Sequence, residues 1–185
     1  MPLSAPKGRR PVHTRTVVCR GFQRDDGLWD VEGRLTDVRS HALTLGERGL
    51  LPPGEPMHDL SIRVAIDDSF LIHEVETATD GSPYRACGAV APNFQRLVGL
   101  RIGEGWRRAV AERVGGVQGC THLAELLGPL ATTAFQLVYL AKLNEGGEAA
   151  VAGVGRPPLL DACHMLASDG AVARDLWPDY YTGKR

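Results

Sequence analysis

Several things are scarce in this chain, and each absence narrows its function. The four cysteines, Cys19, Cys87, Cys120 and Cys163, lie far apart and form no Cys-x-x-Cys pair, so no ligand pair has zinc-finger spacing. No apolar run approaches the roughly eighteen uncharged residues of a membrane span, so none is expected. Charge of one sign is also lacking. The formal net charge is −1, which gives no general attraction to nucleic acid or an anionic membrane. Lys7, Arg9 and Arg10 make a basic start without the apolar stretch of a secretory signal. These absences point to a cytoplasmic protein with reduced thiols. Gly103-x-Gly105 and Gly115-Gly116 follow no strand of a βαβ unit, so no nucleotide or flavin cofactor is expected.

What is present is ordinary globular material, 43% hydrophobic and 23% charged over 185 residues. Residues 1–12 read as a flexible arm, 13–180 as a single α+β domain and 181–185 as a tail. Residues 13–23 read as a strand. A turn at Arg24-Asp25-Asp26-Gly27 leads into Trp29, Val31, Gly33 and Leu35, which alternate with Asp30, Glu32 and Arg34. The stretch 39–55, rich in Gly and Pro, reads as a long connection. Leu60, Ile62, Val64 and Ile66 give another half-buried strand, which returns over 70–78.

The period then changes to helical. Cys87, Val90, Phe94 and Leu97 predict a helix stopped near Gly99, and Trp106, Ala109, Val110 and Val114 a short second one. Thr121 is the expected N-cap of the strongest helix, with Leu123, Leu126, Leu127, Leu130 and Ala134 on its apolar face and Pro129 as an expected kink. Residues 145–158 read as a linker and 159–176 as a last amphipathic segment carrying Cys163 and His164. Strands first and helices afterwards predict an antiparallel sheet of four or five strands packed on two or three helices.

The stretch Gly119-Cys120-Thr121-His122 concentrates chemistry. A thiol and an imidazole at a helix start meet free N–H groups and the positive dipole end, where a thiolate is favoured. They are candidate nucleophile and base, or ligands of one metal. Tyr84 is a candidate proton donor and Arg85 a candidate anion partner. Asp30 and Glu32 share a strand face and are candidates for acid–base work. Trp106 and Trp29 are candidate walls of a substrate cleft.

RDDGLWDVEGRLTD at 24–37, MHDLSIRVAID at 57–67, SPYRACGAV at 82–90, LVGLRIGEGW at 97–106, GCTHLAELL at 119–127 and DACHMLASDG at 161–170 resemble the motifs of a bacterial domain-of-unknown-function family, DUF2889. The resemblance covers about 13–180. More distantly, residues 58–142 are similar in layout to the NifU/IscU/SufE-type iron–sulfur scaffold fold. That resemblance places Cys87 at the scaffolds' middle cysteine, Leu97-Val98-Gly99 at their Leu-x-Gly motif and Cys120 at the late cysteine. Their first cysteine has no counterpart; Pro56, Met57, His58 and Asp59 stand at that strand start. It implies one cleft holding His58, Cys87, Cys120 and His122, with Asp59 as a further ligand or an orienting partner. Such a set suits Zn or Fe.

The resulting expectation is a small cytoplasmic lyase or hydrolase acting on a small, aromatic or carboxylated catabolite, either as a monomer or as a homodimer. The alternative is a non-enzymatic iron–sulfur or sulfur-transfer protein.

Overall fold

The computed structural model describes residues 3–151 and 155–183. Alternating residues build a four-stranded antiparallel sheet of order β1-β2-β5-β6. Its strands are β1 (His13–Gln23), β2 (Trp29–Arg39), β5 (Pro56–Ile66) and β6 (Ile72–Gly81). The predicted connection over 39–55 contains a separate small hairpin, β3 (Leu43–Leu45) with β4 (Gly49–Leu51). Three-residue strands are too short to show a period, which is why that stretch reads as loop.

One sheet face is apolar and one is wet. Trp29, Val31 and Leu35 of β2 and Leu60, Ile62, Val64 and Ile66 of β5 are buried. Their partners at alternate positions, Glu32, Arg34 and Arg63, point the other way. The apolar face is covered by the part of α2 (Thr121–Val151) that runs up to Val138. Leu123, Leu126, Leu127, Leu130, Ala134 and Val138 recur at helical spacing and are buried. A side chain at Gly21 of β1 would run into Leu137, so glycine there allows close approach of strand and helix. Phe70 and Phe135 stack with ring centroids 5.8 Å apart.

Between sheet and helix the chain forms a 3-10 segment, Arg85–Leu97, and α1 (Trp106–Val114). Gly99, at φ 82°, follows the first as expected and donates its N–H to Ile72 O. The chain divides into two compact units, Met1–Val138 and Tyr139–Arg185. The first contains the sheet and the N-terminal part of α2. The second contains a 3-10 turn at His164–Leu166 and α3 (Ala171–Leu176).

Three expectations need correction. Thr121 is the first residue of α2 rather than its cap; Cys120 precedes the helix, and its carbonyl accepts the Ala124 N–H. The helix continues to Val151 through the start of the predicted linker, because nothing between Leu143 and Val151 except Gly146-Gly147 opposes it. Residues 152–154 of that linker lie outside the described residues. The segment 159–176 is not one helix, since Gly170 stands before α3 and Asp161, with φ 63°, turns the chain. By length and composition alone, Thr121–Glu145 is long and apolar enough to cross a membrane, with mean hydropathy 1.3. Its buried leucines instead serve the core of the first unit. Residues 3–12 of the predicted arm are exposed; Val12 O accepts the Ser40 N–H and Pro11 O the Ser40 hydroxyl. Residues 1–2, 184 and 185 lie outside the described residues.

Candidate metal centre

The strand register makes one row of side chains across the covered face. Arg15 of β1 stands opposite Asp37 of β2, and Asp37 opposite His58 of β5. The next row toward the middle of the sheet, Val17, Leu35 and Leu60, leads into the apolar core. The polar row therefore lies at the core's edge, directly beyond its last apolar layer.

Asp37 is fully buried and accepts hydrogen bonds at every lone-pair direction. Oδ1 accepts from His13 Nε2 at 2.9 Å and Arg15 Nε at 2.8 Å. Oδ2 accepts from Arg15 Nη2 at 2.8 Å and His58 Nδ1 at 2.9 Å. The fork of Arg15 is the main reason the Asp37 carboxyl sits well below the usual carboxylate range. Burial opposes the shift, and His13 and His58 add to it. Arg15 in turn has its pKa raised, chiefly by Asp37. Its remaining nitrogen, Nη1, donates to Glu125 Oε2 of α2 at 2.7 Å.

His58 is 7% exposed, and burial lowers its pKa. The neighbouring His122 lowers it further, while Asp37 pulls it back in part. It is therefore neutral at neutral pH. An ionised carboxylate can only accept, so the single ring proton sits on Nδ1, and the Nε2 lone pair is left free.

α2 brings the opposing groups. The rings of His58 and His122 lie with centroids 3.9 Å apart and planes tilted by 34°. Ligand atoms of Asp37, His58 and His122 all lie within 4.8 Å of one another. Cys120 Sγ is 4.0 Å from His122 Nδ1. Cys120 therefore borders the Asp37–His58–His122 group through His122. Gly119 makes the approach to Cys120 possible, because a Cβ at that position would collide with the Val114 carbonyl.

Of the residues expected at the site, His58 and His122 come together with Asp37; Cys120 stands next to His122 but outside that group of three, and the others lie elsewhere. Cys87 stands near the start of the 3-10 segment and contributes no ligand atom to the cluster. Asp59 follows His58 directly on β5 and so faces the opposite side. There Arg34 Nε and Nη2 hold it at 2.8 and 2.7 Å. Asp30 is seven residues from Asp37 on the same strand, on the opposite face, and pairs with Arg24. Trp29 is buried and donates its indole N–H to Asp68, while Trp106 is buried and donates to Leu127 O. Both are core residues. Tyr84 and Arg85 line a surface recess with Glu47, Arg48 and Asp80, and Glu47 accepts the Arg85 backbone N–H. A larger groove, lined by Val18, Arg20, Glu32, Arg34, Arg63 and Glu76 among others, lies on the wet face of the sheet and shares no residue with the cluster.

Sequence reasoning missed His13, Arg15, Asp37 and Glu125. The available signal was parity: Asp37 continues the inward series Trp29, Val31, Gly33 and Leu35, which puts a carboxylate on an apolar face.

Residues 13–136 match the model of a family described as "Protein of unknown function (DUF2889)", and the chain belongs to that family. No curated protein matches, and no solved structure matches.

Proposed function

We propose that the chain is a small-molecule hydrolase or lyase with a single Zn or Fe ion held by His58 Nε2, the His122 imidazole and the Cys120 thiolate. The observation that carries this reading is the meeting of two imidazoles, one neutral and fixed in tautomer by a buried carboxylate. A carboxylate hydrogen-bonded to the back of a ligating histidine is the usual support of such centres. Asp37 serves as that support rather than as a ligand, since its acceptor positions are already filled. Three protein donors leave one position open for water or substrate, as in catalytic zinc sites.

When bound, the ion supplies Lewis acidity toward a substrate oxygen or a bound water. The chain's own residues do the rest. Asp37 holds the His58 proton at Nδ1. Glu125, on the rim of the cluster, is 54% exposed and keeps one oxygen outside its ion pair with Arg15. It is the group that takes up a proton released at the centre. A thiolate ligand suits a reducing compartment, which is why we place the protein in the cytoplasm. The iron–sulfur and NifU-like readings gain no support here, since Cys120 is the one cysteine shown beside a member of the cluster and cluster scaffolds need several.

The test is elemental analysis of the full chain prepared without chelator or nickel. About one Zn or Fe per chain, lost in both His58→Ala and His122→Ala while the fold persists, supports the centre. Folded, anaerobically prepared protein that takes up neither ion overturns it.

A further inference from the structure

Arg39 ends β2 on the same face as Asp37 and stands opposite His13 in the register. The irregularity at this end of the sheet adds its extra residue to β5, where Asp37 pairs with His58 and Val38 with Pro56, so the alternation along β2 is intact. Arg39 therefore projects beside the Arg15–Asp37–His58 row. Its Nε is buried and has no hydrogen-bond partner; no other side-chain nitrogen or oxygen among the described residues is left in that state. The carboxylate two residues before it on the same face cannot serve it. Asp37 has its four acceptor directions filled by His13, Arg15 and His58. A buried guanidinium N–H without an acceptor costs stability, and folded proteins seldom tolerate one without a reason.

We propose that Arg39 is the substrate-anchoring residue of this site and that the substrate carries a carboxylate, which accepts the N–H groups of Arg39 side by side. A planar carboxylate matches the guanidinium fork. One unengaged cation balances a monoanion, whereas a phosphate dianion would leave a charge uncompensated in a partly buried place. This inference rests on the reading of the same cluster as a reaction centre, but the carboxylate site itself needs no ion.

The experiment is a titration of the full-length, metal-free protein with benzoate, with acetate and with inorganic phosphate, followed by the arginine Nε–H resonances and by melting temperature. The expected result is that benzoate shifts one buried arginine Nε–H signal and raises the melting temperature. Arg39→Met should weaken benzoate binding by about ten- to a hundredfold, the range of one lost charged hydrogen-bonding partner. Arg39→Lys should retain the charge but recover only part of the affinity. A merely structural arginine would lower the melting point when replaced; here Arg39→Met without ligand should melt no lower than the parent. Equal benzoate affinity in parent and Arg39→Met, or no benzoate binding to the folded parent, overturns the proposal. Tighter binding of phosphate than of benzoate overturns the carboxylate assignment. Metal content of Arg39→Met, unchanged if the two proposals are independent, separates a failure here from a failure of the metal centre.

Discussion

His58 and His122 reach ring contact, with centroids 3.9 Å apart, from opposite layers of the fold: one from strand β5, the other from the first turn of α2. Neither ring holds itself in place. Asp37 fixes His58, Arg15 and His13 fix Asp37, and Arg15 joins the sheet to α2 through Glu125. Stability and site geometry thus depend on the same carboxylate.

Replacing that carboxylate should be costly. Asp37→Ala leaves Arg15, His13 and His58 with unmet donors, and breaking a buried ion pair by removing one partner costs about 3–5 kcal/mol. Asp37→Asn keeps an acceptor oxygen and should cost less. By losing the support of His58 it should still weaken metal binding by about 10–100-fold. Urea unfolding and a competitive zinc titration measure the two effects. An Asp37→Asn protein with parental zinc affinity would remove Asp37 from its supporting role.

Acid should destabilise the metal-free protein in two stages. The folded-state pKa of His58 lies below the ordinary 6.5 because the ring is buried beside His122. As pH falls through ~6.5 the unfolded chain takes up this proton first, so stability begins to fall there. The folded-state pKa of Asp37 lies well below the ordinary carboxylate value, chiefly through Arg15. Its contribution is fully present above about pH 5 and is lost as pH falls through ~4 toward the folded-state value. Urea unfolding between pH 3 and 8 should show both stages. His58→Gln should abolish only the upper one, and an unchanged profile in that variant would show that His58 titrates normally.

Trp106 separates core from cleft. It is 7% exposed and its indole N–H reaches Leu127 O across the interior. Trp106→Ala should cost about 3–5 kcal/mol, as for other large aromatic truncations, while the folded fraction keeps its metal. A variant of near-parental stability that has lost function would return Trp106 to the substrate site.

The features legible in the sequence are the local ones. The stretch 13–23 gives β1 to the residue, because the Asp-Gly turn that follows closes it, and Trp106 to Val114 gives α1, whose Trp106, Val110 and Val114 make one buried face. His58, Cys120 and His122 also stand out, as chemically distinctive types at element starts. The Arg15–Asp37–His58 row does not, because it exists only once three strands are in register, and register is a tertiary property. The scaffold resemblance puts Asp59 with His58, yet neighbours on a strand face opposite sides, which separates the two. Cys87 is implied at the site only by motif order, which carries no distance.

The four thiols should divide by chemistry. Cys163 is exposed and should alkylate quickly whether or not metal is present. Cys19 sits against α2, where burial pushes its thiol above the ordinary value and Thr133 offsets this in part. It should react slowly at neutral pH and, with no ligand atom in the cluster, ignore zinc. Cys87 is half-buried and also outside the cluster, so zinc should leave its rate unchanged. Cys120 alone should react in the metal-free protein and be protected by about one equivalent of zinc, because only a bound thiolate loses its nucleophilic lone pair to the ion. Iodoacetamide labelling followed site by site by mass spectrometry, with and without zinc, reads all four rates at once. Protection of Cys87 together with Cys120 would require the 3-10 segment to approach α2 and would restore the two-cysteine ligand set; equal labelling of Cys120 with and without zinc would remove the thiolate from the centre and leave the two histidines as its only protein donors.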